Sequence, residues 1–199
     1  QYSEAVWLSK GMPAVDELSI SAQEAPTKES LEVPSSVLKN PGFASPVLRV
    51  LEMEGNHETA LAVFHPESVA LTAVLASFNR LERLPAQLTS VGQSLKRLQL
   101  GSNNIDTIDE QILGALVGLT CLMLEANRLR ELPSSIGELR QLRELALYGN
   151  RLHEFPSELG QCASLTKLDA HHNCLETLPA GMATLSQLSS LYLQNNRLR

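Results

Sequence analysis

The feature that most constrains the fold of this chain is a motif that recurs six times at steps of 23 or 24 residues. Each copy places apolar or small residues at its positions 1, 4, 6, 11 and 14, and asparagine at position 9. A fixed period of this length predicts stacked repeats, because one unit cannot bury its apolar face alone. The six copies start at Leu71, Leu95, Leu119, Leu142, Leu165 and Leu188, and a weaker copy starts at Leu48.

The first half of each copy predicts a short β-strand, and the second half predicts a return segment. Positions 3 to 7 alternate between core and variable residues, which is the side-chain period of a strand. Proline occupies position 15 in four of the five copies that reach it, and it cannot donate a hydrogen bond to a sheet. The stretches SSIGEL and SELGQC then predict short helical turns. Because the return side is bulkier, we expect the sheet to line the concave side of the stack.

The asparagine column is predicted to be structural. At position 9 the chain leaves the strand, and a side-chain amide offers both a donor and an acceptor to the backbone groups left inside the coil. Loss of one such bonded group should cost roughly 1–3 kcal/mol. The column consists of Asn56, Asn79, Asn103, Asn127, Asn150, Asn173 and Asn196.

This pattern resembles the leucine-rich repeat family, in its form with 23–24 residues per unit and an LPxx[L/I]GxL second half. The stretch LPSSIGELRQ is the best copy of that half. The resemblance implies an α/β solenoid shaped as a horseshoe, with a parallel sheet on the concave face, short helices or turns on the convex face and about seven or eight repeats. It covers residues 48–199, with the last repeat truncated. Residues 1–47 are interpreted as a degenerate N-terminal repeat or capping segment with an insertion.

Positions 3, 5 and 7 of each unit are expected to project from the concave face and to contact a partner protein. Tyrosine is over-represented among interface hot spots, and exposed apolar side chains on such a face favour docking. The alternative is a face that is merely solvated. The predicted contact residues are Leu75, Arg97, Gln99, Met123, Glu125, Tyr148, Lys167, Asp169, His171, Tyr192 and Gln194.

The stretch HHNC at residues 171–174 could be taken for a metal site. Its asparagine belongs to the asparagine column, whereas His171, His172 and Cys174 fall outside the core pattern. Zinc needs three or four ligands, and one short turn supplies at most two, with His153 as the nearby candidate in the preceding unit. We predict an ordinary exposed turn with no metal and no cofactor.

A catalytic role is the alternative interpretation of the same region. Asp169 and His171 share a face of one strand, and a carboxylate that holds a histidine is one part of a catalytic triad. Ser190 is a conceivable nucleophile one strand over. However, the concave face is open to water and no oxyanion hole is predicted, so we expect a polar recognition patch with no catalytic residue.

The three cysteines favour a reducing compartment, because they are few and odd in number. Cys162 stands at a core position, Cys121 projects on the concave side where it could react, and Cys174 lies in the HHNC turn. No run of about 18 apolar residues predicts a membrane span, and no Asn-X-Ser/Thr sequon occurs. We therefore predict a cytoplasmic protein that does not enter a membrane.

The formal net charge of −6 is confined to the first third of the chain. Residues 1–68 hold four Lys and Arg against ten Asp and Glu, whereas residues 69–199 hold twelve of each. No strongly basic face is expected, which argues against nucleic acid and anionic membranes as partners. The arginines at position 10 are interpreted as a solvated edge, with contact to an acidic partner as the alternative. They are Arg80, Arg128, Arg151 and Arg197.

Together these observations predict a non-catalytic protein–protein interaction scaffold that is monomeric in isolation. The alternative is the recognition segment of a larger signalling enzyme such as a kinase, GTPase, phosphatase or ubiquitin ligase. It is motivated by the ending LYLQNNRLR, which stops before the return half of a repeat, where an array normally carries a cap. A cell-surface ectodomain is disfavoured because no cysteine clusters flank the repeats. The identity of the partner is not encoded in the pattern.

Overall fold

The computed structural model describes residues 71–199, together with the strands Glu17–Ser19 and Val50–Glu52. Asn56 lies outside the described residues. So does most of the segment that was interpreted as a degenerate first repeat, and the proposed boundary between residues 47 and 48 therefore stays a prediction.

Within the described residues, eight parallel strands of three residues each form one sheet in sequence order. Each strand pairs with the next in the same register, so that Arg97 lies opposite Cys121 and Cys121 lies opposite Glu144. One copy of the sequence motif is therefore one coil of the solenoid. The strands are β1 (Glu17–Ser19), β2 (Val50–Glu52), β3 (Ala73–Leu75), β4 (Arg97–Gln99), β5 (Cys121–Met123), β6 (Glu144–Ala146), β7 (Lys167–Asp169) and β8 (Ser190–Tyr192).

The return side of the coils carries short helices, as the second half of each motif predicted. Helix α1 (Glu110–Ala115) begins after Asp109, whose side chain accepts hydrogen bonds from the backbone of Gln111 and Ile112. The other coils use 3-10 segments, each preceded by a proline in extended conformation that directs the chain away from the sheet. These segments are Ala86–Val91, Ser134–Glu138, Ser157–Gln161 and Ala180–Thr184. Among the described residues, no helix has the length and apolarity needed to cross a membrane.

A continuous aliphatic core fills the space between the sheet and the return side. The position-4 leucines of β4 to β7 are fully or almost fully buried, and the leucines that start each coil pack beside them. Burial of one such side chain contributes about 1.5–3 kcal/mol relative to leaving it exposed. The core and the sheet together confirm the predicted solenoid. The position-4 residues are Leu98, Leu122, Leu145 and Leu168.

The asparagine column forms the predicted internal ladder. Asn127 shows the pattern: its Nδ2 donates to the carbonyl oxygens of Leu100 at 2.9 Å and Leu124 at 3.1 Å, and its Oδ1 accepts from the backbone N–H of Ile105 at 3.0 Å. Each bond set thus joins one coil to the preceding one. The same set is made by Asn103, Asn150, Asn173 and Asn196. Asn79 also bonds to carbonyls of its own coil.

The residue before each ladder asparagine adopts a left-handed conformation, which the sequence pattern did not indicate. Six different residue types occupy this position, and all but Gly149 pay the steric penalty of a side chain at positive φ. In all but Asn195 of the last coil the backbone holds this conformation, because the N–H of the residue donates to a carbonyl of the next coil, for example Phe78 to Gly101 at 2.9 Å. The six residues are Phe78, Ser102, Ala126, Gly149, His172 and Asn195.

Candidate functional site

The concave face consists of three rows of side chains that cross the strands. The register fixes the rows at positions 3 and 5, and the backbone bonds that follow the strands fix the row at position 7. All eleven predicted contact residues lie on this face, and their role in binding stays a prediction. In the described coils the position-3 row is Ala73, Arg97, Cys121, Glu144, Lys167 and Ser190. The position-5 row is Leu75, Gln99, Met123, Ala146, Asp169 and Tyr192, and the position-7 row is Ser77, Gly101, Glu125, Tyr148, His171 and Gln194.

The predicted contact residues divide into exposed and half-buried groups. Arg97, Lys167, Tyr192 and Gln194 are exposed, and the other seven are half-buried because they pack against their row neighbours. Gln99, for example, directs its Nε2 towards the Sδ of Met123 at 3.3 Å. The half-buried members are therefore held more closely by their neighbours than the exposed members are.

An aromatic cluster lies in the C-terminal half of this face. The ring of Tyr148 stacks on the imidazole of His171, with centroids 4.7 Å apart and planes 9° from parallel. The Nδ1 of His171 lies 2.5 Å from the Oδ1 of Asp169, which fixes the imidazole from its edge. Tyr192 lies opposite Asp169 in the strand register. Tyr148, His171 and Asp169 thus form a rigid polar and aromatic patch.

Glu125 is the most unusual carboxyl group of the face. Its side chain lies over Gly101, where a Cβ atom would be only 2.2 Å from the Glu125 Oε1. Its Oε2 is buried and has no hydrogen-bond partner among the described residues. Burial raises the pKa of Glu125 above its ordinary value, and the charge of Asp169 pushes it in the same direction, against a lowering by a backbone hydrogen bond. The pKa of Tyr148 is also raised, first by burial and then by Glu125 and Asp169.

A shallow groove of about 170 Å³ runs across the coils that carry β5, β6 and β7. Ala146 lies between Met123 and Asp169 in the position-5 row, so its short side chain leaves the gap that forms the groove. Glu125 and Tyr148 line it from the position-7 row, and Glu144 and Lys167 line it from the position-3 row. Sequence reasoning did not single out Ala146 or Glu144. An alanine between two larger residues in one row was the available signal.

The cysteines differ from one another in exposure. Cys162 is fully buried as predicted, and burial raises its pKa to about 11. Cys121 lies on the concave side but is only 5% exposed, so the expectation that it could react there is wrong. The longer side chains of Arg97 and Glu144 flank it in the position-3 row, and burial raises its pKa as well. Cys174 is half-buried.

The residues of the HHNC stretch occupy separate environments in the structure. Asn173 belongs to the internal ladder, whereas His172 is exposed and its Nε2 lies 2.9 Å from the Nδ2 of Asn195. Across residues 71–199, no group of three His, Cys, Asp or Glu side chains is placed to hold a metal ion. Ser190, the conceivable nucleophile, lies opposite Lys167. That is four residues, or roughly 13 Å along the strand direction, from the row of His171.

Comparison with known proteins agrees with this architecture. The family model described as "Leucine rich repeat" matches residues 70–129 and 140–198. A leucine-rich repeat protein of Leptospira interrogans is similar over 76% of this chain and 44% of its own, with 26% identity and a TM-score of 0.60.

Two further solved structures are complexes. The ectodomain of the Arabidopsis thaliana receptor kinase GASSHO1/SCHENGEN3, in complex with CASPARIAN STRIP INTEGRITY FACTOR 2, matches over 84% of this chain and 20% of its own, with 29% identity and a TM-score of 0.67. The Drosophila Toll–Spatzle complex matches over 76% and 22%, with 23% identity and a TM-score of 0.69, and shows the fold alone. This chain spans less than half the length of each of the three proteins. Because the family model matches most of the chain and the structure is a solenoid, the chain belongs to the leucine-rich repeat family.

Proposed function

We propose that this chain is a non-catalytic interaction module that binds a partner protein on its concave face. The observation that carries the proposal is the contrast between the rows. The buried rows repeat leucine, whereas the concave rows hold acidic, basic, aromatic and thioether side chains in an order that no packing rule requires. Leucine-rich repeat proteins generally mediate protein–protein interactions, and the GASSHO1/SCHENGEN3 ectodomain reported above was solved in complex with CASPARIAN STRIP INTEGRITY FACTOR 2.

The aromatic cluster supports binding at the C-terminal half of the face. Tyr148 is already fixed by its stack on His171, so a partner that packs on it loses little additional side-chain freedom. Tyr192 is 39% exposed and offers apolar area together with a hydroxyl group. Side chains of this kind carry a disproportionate share of binding energy at protein interfaces.

The test is capture of partner proteins by variants of the two tyrosines. Tyr148→Ala and Tyr192→Ala, alone and together, should remove bound proteins that the wild-type chain captures from cell extract. Gln111→Ala is the matched control, because Gln111 is exposed on α1 at the return side. Circular dichroism verifies that each variant is folded. An unchanged set of captured proteins in the double variant would show that this face is not the binding surface.

We further propose that the chain is cytoplasmic and belongs to the form of the family with 23–24 residues per unit and an LPxxLGxL second half. The support is the spacing of the motif copies and the small, odd number of cysteines. Imaging of a fluorescently tagged chain in living cells tests the location, and a secreted or surface signal would contradict it. Attachment to a larger signalling enzyme stays a prediction that the parent open reading frame can test.

A further inference from the structure

The concave face separates its charges by row. In the coils of residues 71–199, the Lys and Arg side chains of the face, Arg97 and Lys167, lie in the position-3 row, where Glu144 lies between them in the register. The position-5 and position-7 rows hold the carboxylates of Glu125 and Asp169 and no Lys or Arg. This part of the face is therefore acidic, although the coils as a whole are balanced in charge.

The two carboxylates stand on either side of one tyrosine. Glu125 belongs to the coil of β5 and Asp169 to β7, and Tyr148 belongs to the coil between them. Because adjacent strands lie about 4.8 Å apart and the two positions differ by two residues along the strand, the backbones of the two acidic residues lie roughly 12 Å apart. Both charges act on Tyr148, since both raise the pKa of its hydroxyl group. A cation above Tyr148 would thus lie within reach of both carboxylates.

Neither carboxylate has a Lys or Arg partner among the described residues. Asp169 Oδ1 contacts the Nδ1 of His171, a hydrogen-bonded contact that becomes an ion pair only when the imidazole is protonated. Glu125 leaves its buried Oε2 without a hydrogen-bond donor from that part of the chain. A buried carboxylate oxygen without a donor is unfavourable. Binding of a cation therefore requires the Glu125 carboxyl group to turn from Gly101 towards the groove, where an incoming donor can reach it.

The groove between these groups is shallow and carries an excess of carboxylates, because Glu125, Glu144 and Asp169 line it together with one cation, Lys167. Ala146 forms its floor, and Met123 and Tyr148 provide apolar and aromatic walls along which methylene groups can pack. A guanidinium group is planar, bonds carboxylates through a rigid fork of donors and stacks on aromatic rings.

We propose that the groove binds the arginine side chain of a segment of the partner protein, with its guanidinium group between Glu125 and Asp169. This inference rests on the proposed function and names the chemistry that the partner brings to the face.

The test uses a random peptide library displayed on phage and selected on the purified chain. We expect the enriched peptides to share an arginine at one aligned position. Calorimetry then measures the Kd of one enriched peptide and of the same peptide with that arginine replaced by citrulline, which is similar in shape and uncharged. The replacement should weaken binding about tenfold or more, because a charged pair is lost at a desolvated position.

Protein variants locate the effect. Glu125→Gln and Asp169→Asn should each weaken the arginine peptide about tenfold and leave the weaker citrulline peptide almost unchanged. Glu138→Gln, at an exposed position on the return side, is the matched control and should leave both affinities unchanged. Thermal unfolding verifies that each variant is folded. Glu125→Gln is nearly isosteric, so an intact fold is expected.

The outcomes separate this inference from the proposed function. Peptides that lose binding with Tyr148→Ala but tolerate citrulline, Glu125→Gln and Asp169→Asn overturn the arginine site and leave the concave face as the binding surface. Acidic peptides that depend on Lys167 overturn it in the same way. If no peptide is enriched, or if the enriched peptides ignore Tyr148→Ala, both proposals are overturned.

Discussion

The two faces of the sheet are made of alternating residues from the same three-residue strands, yet they follow different rules. In β6, Leu145 points into the core and is 1% exposed, whereas its neighbours Glu144 and Ala146 lie on the concave side. The inward row reads leucine in four consecutive coils, and the outward rows read differently in each coil. The difference teaches that the core and the asparagine ladder hold the solenoid together, which leaves the concave side chains free to differ.

Two adjacent residues of β6 give the strongest test of the difference between the core face and the concave face. Leu145→Ala removes a fully packed side chain and should lower the free energy of unfolding by about 2–5 kcal/mol. Glu144→Ala, one residue away on the concave side, should change it by about 0.5 kcal/mol or less. Denaturant unfolding followed by circular dichroism measures both values. Similar losses of unfolding free energy for the two variants would contradict the conclusion that the core face, and not the concave face, determines stability.

The asparagine ladder offers the next largest effect, with a control in the neighbouring residue. Asn103→Ala removes bonds to the backbone of Ala76, Leu100 and Leu81, and these groups stay buried. We expect a loss of about 2–3 kcal/mol, somewhat less than for the core leucine. Asn104 carries the same side chain at a half-buried position outside the ladder, and Asn104→Ala should cost about 0.5 kcal/mol. Equal losses of unfolding free energy for Asn103→Ala and Asn104→Ala would show that the ladder does not stabilise the solenoid.

A smaller effect is expected at Glu125, where the concave face itself affects stability. Folding raises the pKa of this carboxyl above its ordinary value of 4.5, so the folded chain holds the proton to higher pH than the unfolded chain does. This contribution to stability is present below the unfolded pKa and is lost as the pH rises through the folded pKa.

Glu125→Gln should therefore gain stability relative to wild type as the pH rises from 4 to 7. Unfolding midpoints measured across that range check the trend, with the exposed Glu131→Gln as the control. A difference between Glu125→Gln and wild type that does not change with pH would show that the buried position of Glu125 is wrong.

The smallest effect on stability is expected at Gly101. An added Cβ would meet the end of the flexible Glu125 side chain, so the carboxyl group can turn into solvent, and we expect Gly101→Ala to change stability by less than about 1 kcal/mol. The same change should reduce the pH dependence assigned to Glu125, although Glu125 itself is retained. Gly118→Ala is the contrasting variant, because its Cβ would lie 2.2 Å from the backbone oxygen of Gln93 and should destabilise the chain more. The unfolding midpoints of both variants are measured across the same pH range as for Glu125→Gln.

Much of the fold could be predicted because its determinants recur. The period predicted the position of each strand, and the asparagine column predicted the ladder. The prolines predicted where the return segments start, such as Pro133 before Ser134–Glu138. Each of these features depends on residue type at a fixed position in one coil. A pattern repeated six times therefore specified them without any knowledge of distant contacts.

The features that could not be predicted depend on neighbouring coils. Cys121 is buried because of the lengths of the side chains beside it, and the groove exists because Ala146 stands between two larger residues. The position of the Glu125 carboxyl group depends on the glycine in the preceding coil. Such relations are not periodic, so reading one coil at a time does not reveal them. In five of the six coils, backbone bonds to the next coil fix the left-handed residue before the asparagine, and its side chain therefore carries little information.

The asparagine ladder has a direction. The backbone N–H of Leu175 finds its acceptor in Asn196 of the following coil, and every described coil but the last is completed in this way by its successor. An insertion of one whole coil would recreate all of these junctions, whereas an insertion of a few residues would break one. The array can therefore grow or shrink in whole modules. Each module would lengthen the concave surface by about 4.8 Å and bring three new side chains to it, so that partner size can change by duplication alone.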